Sequence, residues 1–132
     1  MADILEQNDS QEVLFYPFIG LKEGVIFPDT EAVLTFGRPA SINGITEASK
    51  RNLDVCFVSQ KDPKITASGI NDYYHIGTIC TIIKTLPVND ELHAIVKGST
   101  RVYIDSIEAR DGQLWAQVTE SPQKFEETSK IV

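Results

Sequence analysis

The chain has 132 residues, 42% hydrophobic and 23% charged, and nineteen acids against twelve bases give a net charge of −7. That length suits one domain able to bury about two-thirds of the surface its unfolded form exposes. The acidic balance repels phosphate backbones and argues against nucleic acid as a partner, and the longest apolar run is far short of a membrane span.

Residues 1–12 are polar, lack periodicity and carry four acids with no basic segment. They read as a disordered leader rather than a secretory signal, which makes the cytoplasm the default location. The folded domain is expected over 13–120. Val13 to Phe18 has strand composition, but Pro17 lacks an N–H and belongs at an edge or a strand end. Gly20 and Gly24 bracket a turn before Val25-Ile26-Phe27. Pro28-Asp29 punctuates, and Glu31 to Phe36 resumes as a strand.

Pro39 to Arg51 is the one good helix candidate. Pro39 fits a first helical position, and Ile42, Ile45 and Ala48 or Ser49 share one side. Gly44 within it is a weakness, costing about 1 kcal/mol against alanine. Leu53 to Val58 is nearly continuous apolar, as in a strand buried on both faces. Residues 60–74 then form a long loop without apolar period, the kind that is often functional or mobile.

Ile76 to Leu86 reads as a long strand with Ile76, Cys80, Ile82 and Leu86 on one face and Ile79 and Ile83 on the other. Asn89-Asp90 suggests a hairpin, after which Leu92, Ala94 and Val96 point inward. Gly98 looks like a tight connection between two strands, restarting near Arg101. Val102 and Ile104 continue inward, but Ile107 is out of phase, so a bulge near Asp105-Ser106 is expected. Asp111-Gly112 signals a second hairpin, with Leu114, Ala116 and Val118 beyond it. Residues 121–132 look like a linker or the start of a helical segment. The sum is a mainly β antiparallel meander with one helix, closing into a small barrel.

No phosphate-cradling loop, nucleophile elbow or serine–lysine constellation is present. Gly98-Ser99-Thr100-Arg101 precedes a strand, not a helix N-terminus, so it offers no anion site. His75 and His93 are too few and too far apart for a metal site with Cys56 and Cys80, and those two cysteines read as buried free thiols. Trp115 belongs to the core or the barrel rim. No catalytic residue, cofactor or metal is expected.

The ordered series Phe27-Pro28, Gly37-Arg38, Ser59-Gln60-Lys61-Asp62, Asp72 to Thr78 and Val96 to Arg101 resembles the N-terminal domain of the Lon family of ATP-dependent proteases. The resemblance covers roughly residues 13 to 120. It implies a PUA-like pseudobarrel and a non-catalytic role, because the family's ATPase and Ser-Lys peptidase modules would lie far beyond residue 132. The chain would recognise unfolded or damaged clients, or help protomers associate, in a cytoplasmic protease or a free-standing relative of its first domain. A small-ligand or RNA-binding module is the alternative that PUA-like barrels suggest. Client-binding surfaces combine exposed apolar groups with adaptable loops, which nominates Leu21, Phe27, Ile65, Ile70 and Tyr73. Tyr74 would enter the fold and Tyr73 would point the other way. Gly77, Gly98, Arg101 and Gly112 are read as structural, Gly98 by a backbone conformation that favours glycine.

Overall fold

The structure, a computed structural model, describes residues 14–22, 24–65 and 69–120. The expected leader at 1–12 and the segment 121–132 lie outside the described residues. Among the described residues six strands and one helix follow in the order β1 (Leu14–Leu21), β2 (Glu31–Phe36), α1 (Pro39–Lys50), β3 (Val55–Ser59), β4 (Ile76–Val88), β5 (Glu91–Arg110) and β6 (Gln113–Glu120). A single 3-10 turn, Ile70–Asp72, interrupts the loop before β4.

The sheet order is β2-β5-β4-β3-β1-β6, and β6 pairs again with β5. Five strands therefore close into a ring, with β2 attached to the first half of β5. The fold is mainly β with one helix, as the sequence led us to expect, but not a pure meander. β1 and β3 are parallel, with Phe18 opposite Cys56 and Leu21 opposite Ser59. A parallel pair needs a crossover, and β2 with α1 supplies it.

Pro17 sits buried in mid-strand rather than at a strand end. It marks where β1 exchanges neighbours: Leu14–Pro17 pair with β6 and Phe18–Leu21 with β3. Among the described residues each half of β1 keeps one open side, so a missing donor is tolerated there.

The strands separate two apolar clusters. One lies under α1 and contains Ile19, Ile45, Ala48, Val55, Phe57, Cys80, Ala94 and Val96. The other is lined by all five ring strands and contains Phe18, Cys56, Val58, Ile79, Val102, Ile104, Ala116 and Val118. Successive residues of β3 alternate between the two, which explains its unbroken apolar run. Complete burial of Ile45 is worth about 1.5–3 kcal/mol and fixes α1 to the sheet. Gly44, a weakness for the helix alone, lets it approach closely. A Cβ there would lie 2.9 Å from both Ile19 Cδ1 and Gln113 Oε1.

Register shifts let β5 serve both clusters. Ile79 and Cys80 face opposite sides, and their partners are Thr100 and Gly98, so Ser99 is an extra residue that turns the strand over. The strand runs unbroken through Gly98, which corrects the expectation of a connection there. A further shift at Ile83 reverses the phase of β4, so Leu86 pairs with His93 and is exposed instead of joining the Ile82 face. The bulge expected at Asp105 is present between Ile104 and Ser106. Asn89 has φ 57°, and Asp111 and Gly112 have φ 51° and 78°, as two-residue hairpin turns require. Among the described residues no helix is long and apolar enough to cross a membrane.

Candidate functional site

In the segment linking β1 to β2, exposure alternates from Val25 to Asp29. Ile26 is 4% exposed and plugs the cluster under α1, whereas Val25 and Phe27 on either side are 57% exposed. Its backbone is held at nearly every residue. The Ser59 hydroxyl donates to the Gly24 carbonyl, and the Thr78 hydroxyl donates to the Ile26 carbonyl at 2.7 Å. The Thr30 hydroxyl donates to the Phe27 carbonyl at 2.7 Å, closing a tight turn in which Asp29 has φ 66°.

Gly98 completes the clamp. Its N–H donates to Thr30 O at 2.9 Å and its carbonyl accepts from Asp29 N at 2.8 Å. A Cβ at Gly98 would lie 2.4 Å from the Phe27 carbonyl oxygen. The glycine is therefore required by close approach, and its φ is not in the left-handed region, which corrects the conformational reason inferred from sequence. Arg101 lies with its guanidinium 5.5 Å above the Phe27 ring, a contact worth about 0.5–1 kcal/mol at an exposed position. Phe27 is thus an exposed aromatic on a rigid frame.

Beside this frame lies a groove of about 170 Å3, floored by Phe57, Gly77 and Thr78 and walled by Leu21, Val25, Tyr74 and Arg101. Gly77 is required by its close approach to β3, because a Cβ there would meet the Phe57 carbonyl and Val58 Cγ2 at 2.8 Å. Tyr74 is 52% exposed at the rim, and its N–H donates to Ser59 O at 3.0 Å. Tyr73 turns inward, packing edge-on to Phe18 with centroids 5.0 Å apart and covering Gly20. Burial raises its phenol pKa above the usual range. The two tyrosines thus exchange the orientations expected of them, because the missing side chain at Gly20 leaves a slot that Tyr73 fills.

The remaining nominated residues divide in the same way. Leu21 is half-buried against the cluster under α1 and lines the groove. Ile70 packs against the ring cluster and belongs to the structure. Ile65 is exposed, on a segment held by Gln60, a residue named in the family series but given no role from sequence. Gln60 is 4% exposed, and its Nε2 donates to Asp62 O and Ile65 O, each at 3.0 Å. A second polar residue after Ser59, closing the apolar run of β3, was the available signal. Val25 was not named individually from sequence, and Tyr74 was expected to enter the fold. Gly112 serves its hairpin turn and is far from this chemistry in role.

A second cavity, of about 280 Å3, lies between α1 and the β5–β6 hairpin, with Trp115, Pro17 and Leu53 beside Arg51, Arg110 and Glu47. Arg110 is committed there: it pairs with Glu108 and stacks 4.4 Å over Phe15.

Neither site assembles reactive groups. Among the described residues no three His, Cys, Asp or Glu side chains are grouped to hold a metal ion. His75 is exposed, and His93 lies 3.9 Å from Glu91. Cys56 and Cys80 are buried free thiols whose pKa values burial pushes up to about 12, so neither is an available nucleophile. What the arrangement offers is an apolar, partly aromatic surface with one cation.

Comparison with known proteins gives a consistent result. The family model for the ATP-dependent protease La (LON) substrate-binding domain matches residues 16–132. The Lon protease of Aquifex aeolicus is 34% identical over 104 residues, covering 78% of this chain and 13% of that protein. The Lon protease of Clostridioides difficile is 29% identical over 117 residues, covering 88% and 15%. This chain therefore spans only 13–15% of the length of these curated relatives. Among solved structures, a Lon N-terminal domain protein from Xanthomonas campestris superposes with TM-score 0.63 at 16% identity, covering 83% of this chain and 60% of that one. The N-terminal domain of a Mycobacterium avium complex Lon protease gives TM-score 0.61 at 14% identity, covering 89% and 72%.

Proposed function

Because this chain belongs to the LON substrate-binding domain family, we propose that it captures non-native protein clients for an ATP-dependent Lon-type protease and does no chemistry itself. The observation that carries the reading is the rigid presentation of Val25 and Phe27 beside the Tyr74 groove. An unfolded client presents apolar side chains without fixed shape. A surface that holds its own aromatics in place loses little entropy when it meets them, so more of the contact energy remains as affinity. ATP hydrolysis and peptide cleavage would then belong to other modules of the parent protease. The cytoplasm is the compartment this role implies, and other protomers of the same protease are further partners.

The test is the binding of a permanently unfolded client, reduced and carboxymethylated lactalbumin, by fluorescence anisotropy. Val25→Ser combined with Phe27→Ser should weaken binding at least tenfold while lowering the melting temperature by no more than about 4 °C, the share of the lost Phe27–Arg101 contact. Unchanged affinity in a folded double variant would contradict the proposal. The alternative, a small-ligand module, would place its ligand against Trp115 in the second cavity, and the same variant would not affect it.

A further inference from the structure

Among the described residues β2 is an edge strand, and Glu31 is its one charged side chain. It pairs only with β5, and its outer side has no hydrogen-bonding partner among the described residues. Open edges are normally guarded by lysine, proline, a bulge or a covering element. β2 reads Glu-Ala-Val-Leu-Thr-Phe, has no lysine or proline, and pairs with β5 without a register shift. Val33 at its centre is 67% exposed.

A groove of about 280 Å3 runs along this edge, between Leu34, Thr35 and Phe36 on β2 and Gly20, Leu21 and Lys22 at the end of β1. Among the described residues β1 is open here too, since β6 pairs only with Leu14–Pro17. Leu21 also lines the Tyr74 groove, so the two grooves share a wall. Lys22 and Arg38 supply positive charge along the β2 groove in a chain of net charge −7.

We propose that β2 binds an extended segment of a non-native polypeptide by strand addition. The client's backbone pairs with the β2 edge, its apolar side chains cover Val33 and the groove, and an acidic side chain sits near Lys22 or Arg38. This rests on the client-capture reading and deepens it. Main-chain pairing is indifferent to sequence, so it supplies affinity for clients that share no motif, while the Phe27 surface selects for exposed apolar groups.

The probe is a labelled ten-residue peptide of alternating valine and threonine with one aspartate. Two further versions carry N-methyl groups on every second amide, in opposite phases. Strand addition uses only alternate amides. One methylated version should therefore bind at least tenfold more weakly and the other within about twofold of the parent. Val33→Lys should also weaken the parent peptide at least tenfold with no loss of melting temperature.

If both methylated versions bind like the parent, the inference is overturned. It also fails if the peptide does not bind while unfolded lactalbumin still does, and client capture then stands without it. Failure of both ligands overturns client capture itself. A dimer that Val33→Lys dissolves and the peptide does not displace would assign the edge to a second copy and also overturn the inference.

Discussion

Gly98→Val places a branched side chain where the structure has room for none. Its Cβ would sit 2.4 Å from the Phe27 carbonyl oxygen, 3.1 Å from the carbonyl carbon and 3.3 Å from Ile26 Cγ2. The first two are backbone atoms, so no rotamer change relieves the contact and the 24–30 segment must move. Movement breaks the hydrogen bonds between Gly98 and Thr30 and between Asp29 and Gly98, at roughly 1–3 kcal/mol together. It also lifts Ile26 partly out of its cluster, adding about 1 kcal/mol of lost burial. The sum, about 2–4 kcal/mol, is a large share of the stability of a domain this size. Urea titration at 25 °C should report that loss, and the melting temperature should fall by about 8–16 °C. Gly37→Ala is the control: nothing lies within 4 Å of its Cβ position and its φ is ordinary, so it should be neutral or slightly stabilising. A loss below about 1 kcal/mol for Gly98→Val, in the range of ordinary surface substitutions, would refute the close-approach argument.

Other outcomes follow from the same geometry. Ile70→Ser should cost about 1–3 kcal/mol because its side chain packs on the ring cluster, whereas Ile65→Ser should stay within about 0.5 kcal/mol; equal effects by urea titration would contradict the assignment. Cys56 and Cys80 should resist a thiol-reactive dye in the native state at pH 8 and label rapidly in guanidinium, and native labelling at the free-thiol rate would count against their burial. The thiol of Cys56 is held neutral in the fold to about 12, above its ordinary value of 9, so its contribution is complete below pH 9. Above that pH the unfolded chain releases the proton first, and stability should fall toward pH 12 by roughly 1.4 kcal/mol per pH unit from this group. Cys56→Ala should flatten that slope in urea titrations at stepped pH, and an unchanged slope would show that the thiol ionises freely in the fold.

Local pattern was enough for those elements whose cause is local. Pro39 and the Ile42, Ile45, Ala48 spacing gave α1, and the phase break between Ile104 and Ile107 located the Asp105 bulge. The turns at Asn89 and Asp111-Gly112 were legible because those residues tolerate positive φ. The parallel pairing of β1 with β3 was not, since both strands read alike whichever neighbour they take. Nor was the shift at Ile83, which exposes Leu86 although the apolar spacing of β4 looks unbroken.

At the candidate site the sequence pointed to segments 20–30 and 60–74 but misplaced some of their side chains. Phe27 and Leu21 were within reach of composition. The exchange of Tyr73 and Tyr74 depends on a slot left by Gly20, which lies 53 positions earlier in the chain than Tyr73. Gly98 was rightly singled out for the wrong reason, because its constraint comes from Phe27, on another element. Such errors share a cause: contacts between segments distant in sequence leave no local periodicity to read.

The central claim is that non-native clients bind the surface formed by Val25, Phe27 and Tyr74. Titration of the isotope-labelled chain with reduced, carboxymethylated lactalbumin, followed by backbone and methyl NMR, tests it most directly. The account predicts the largest shift changes at Val25, Phe27 and Tyr74, with Leu21 and the β2 residues beside them. Changes centred instead on Trp115, Arg51 and Gln113 would contradict it and transfer recognition to the cavity beneath α1.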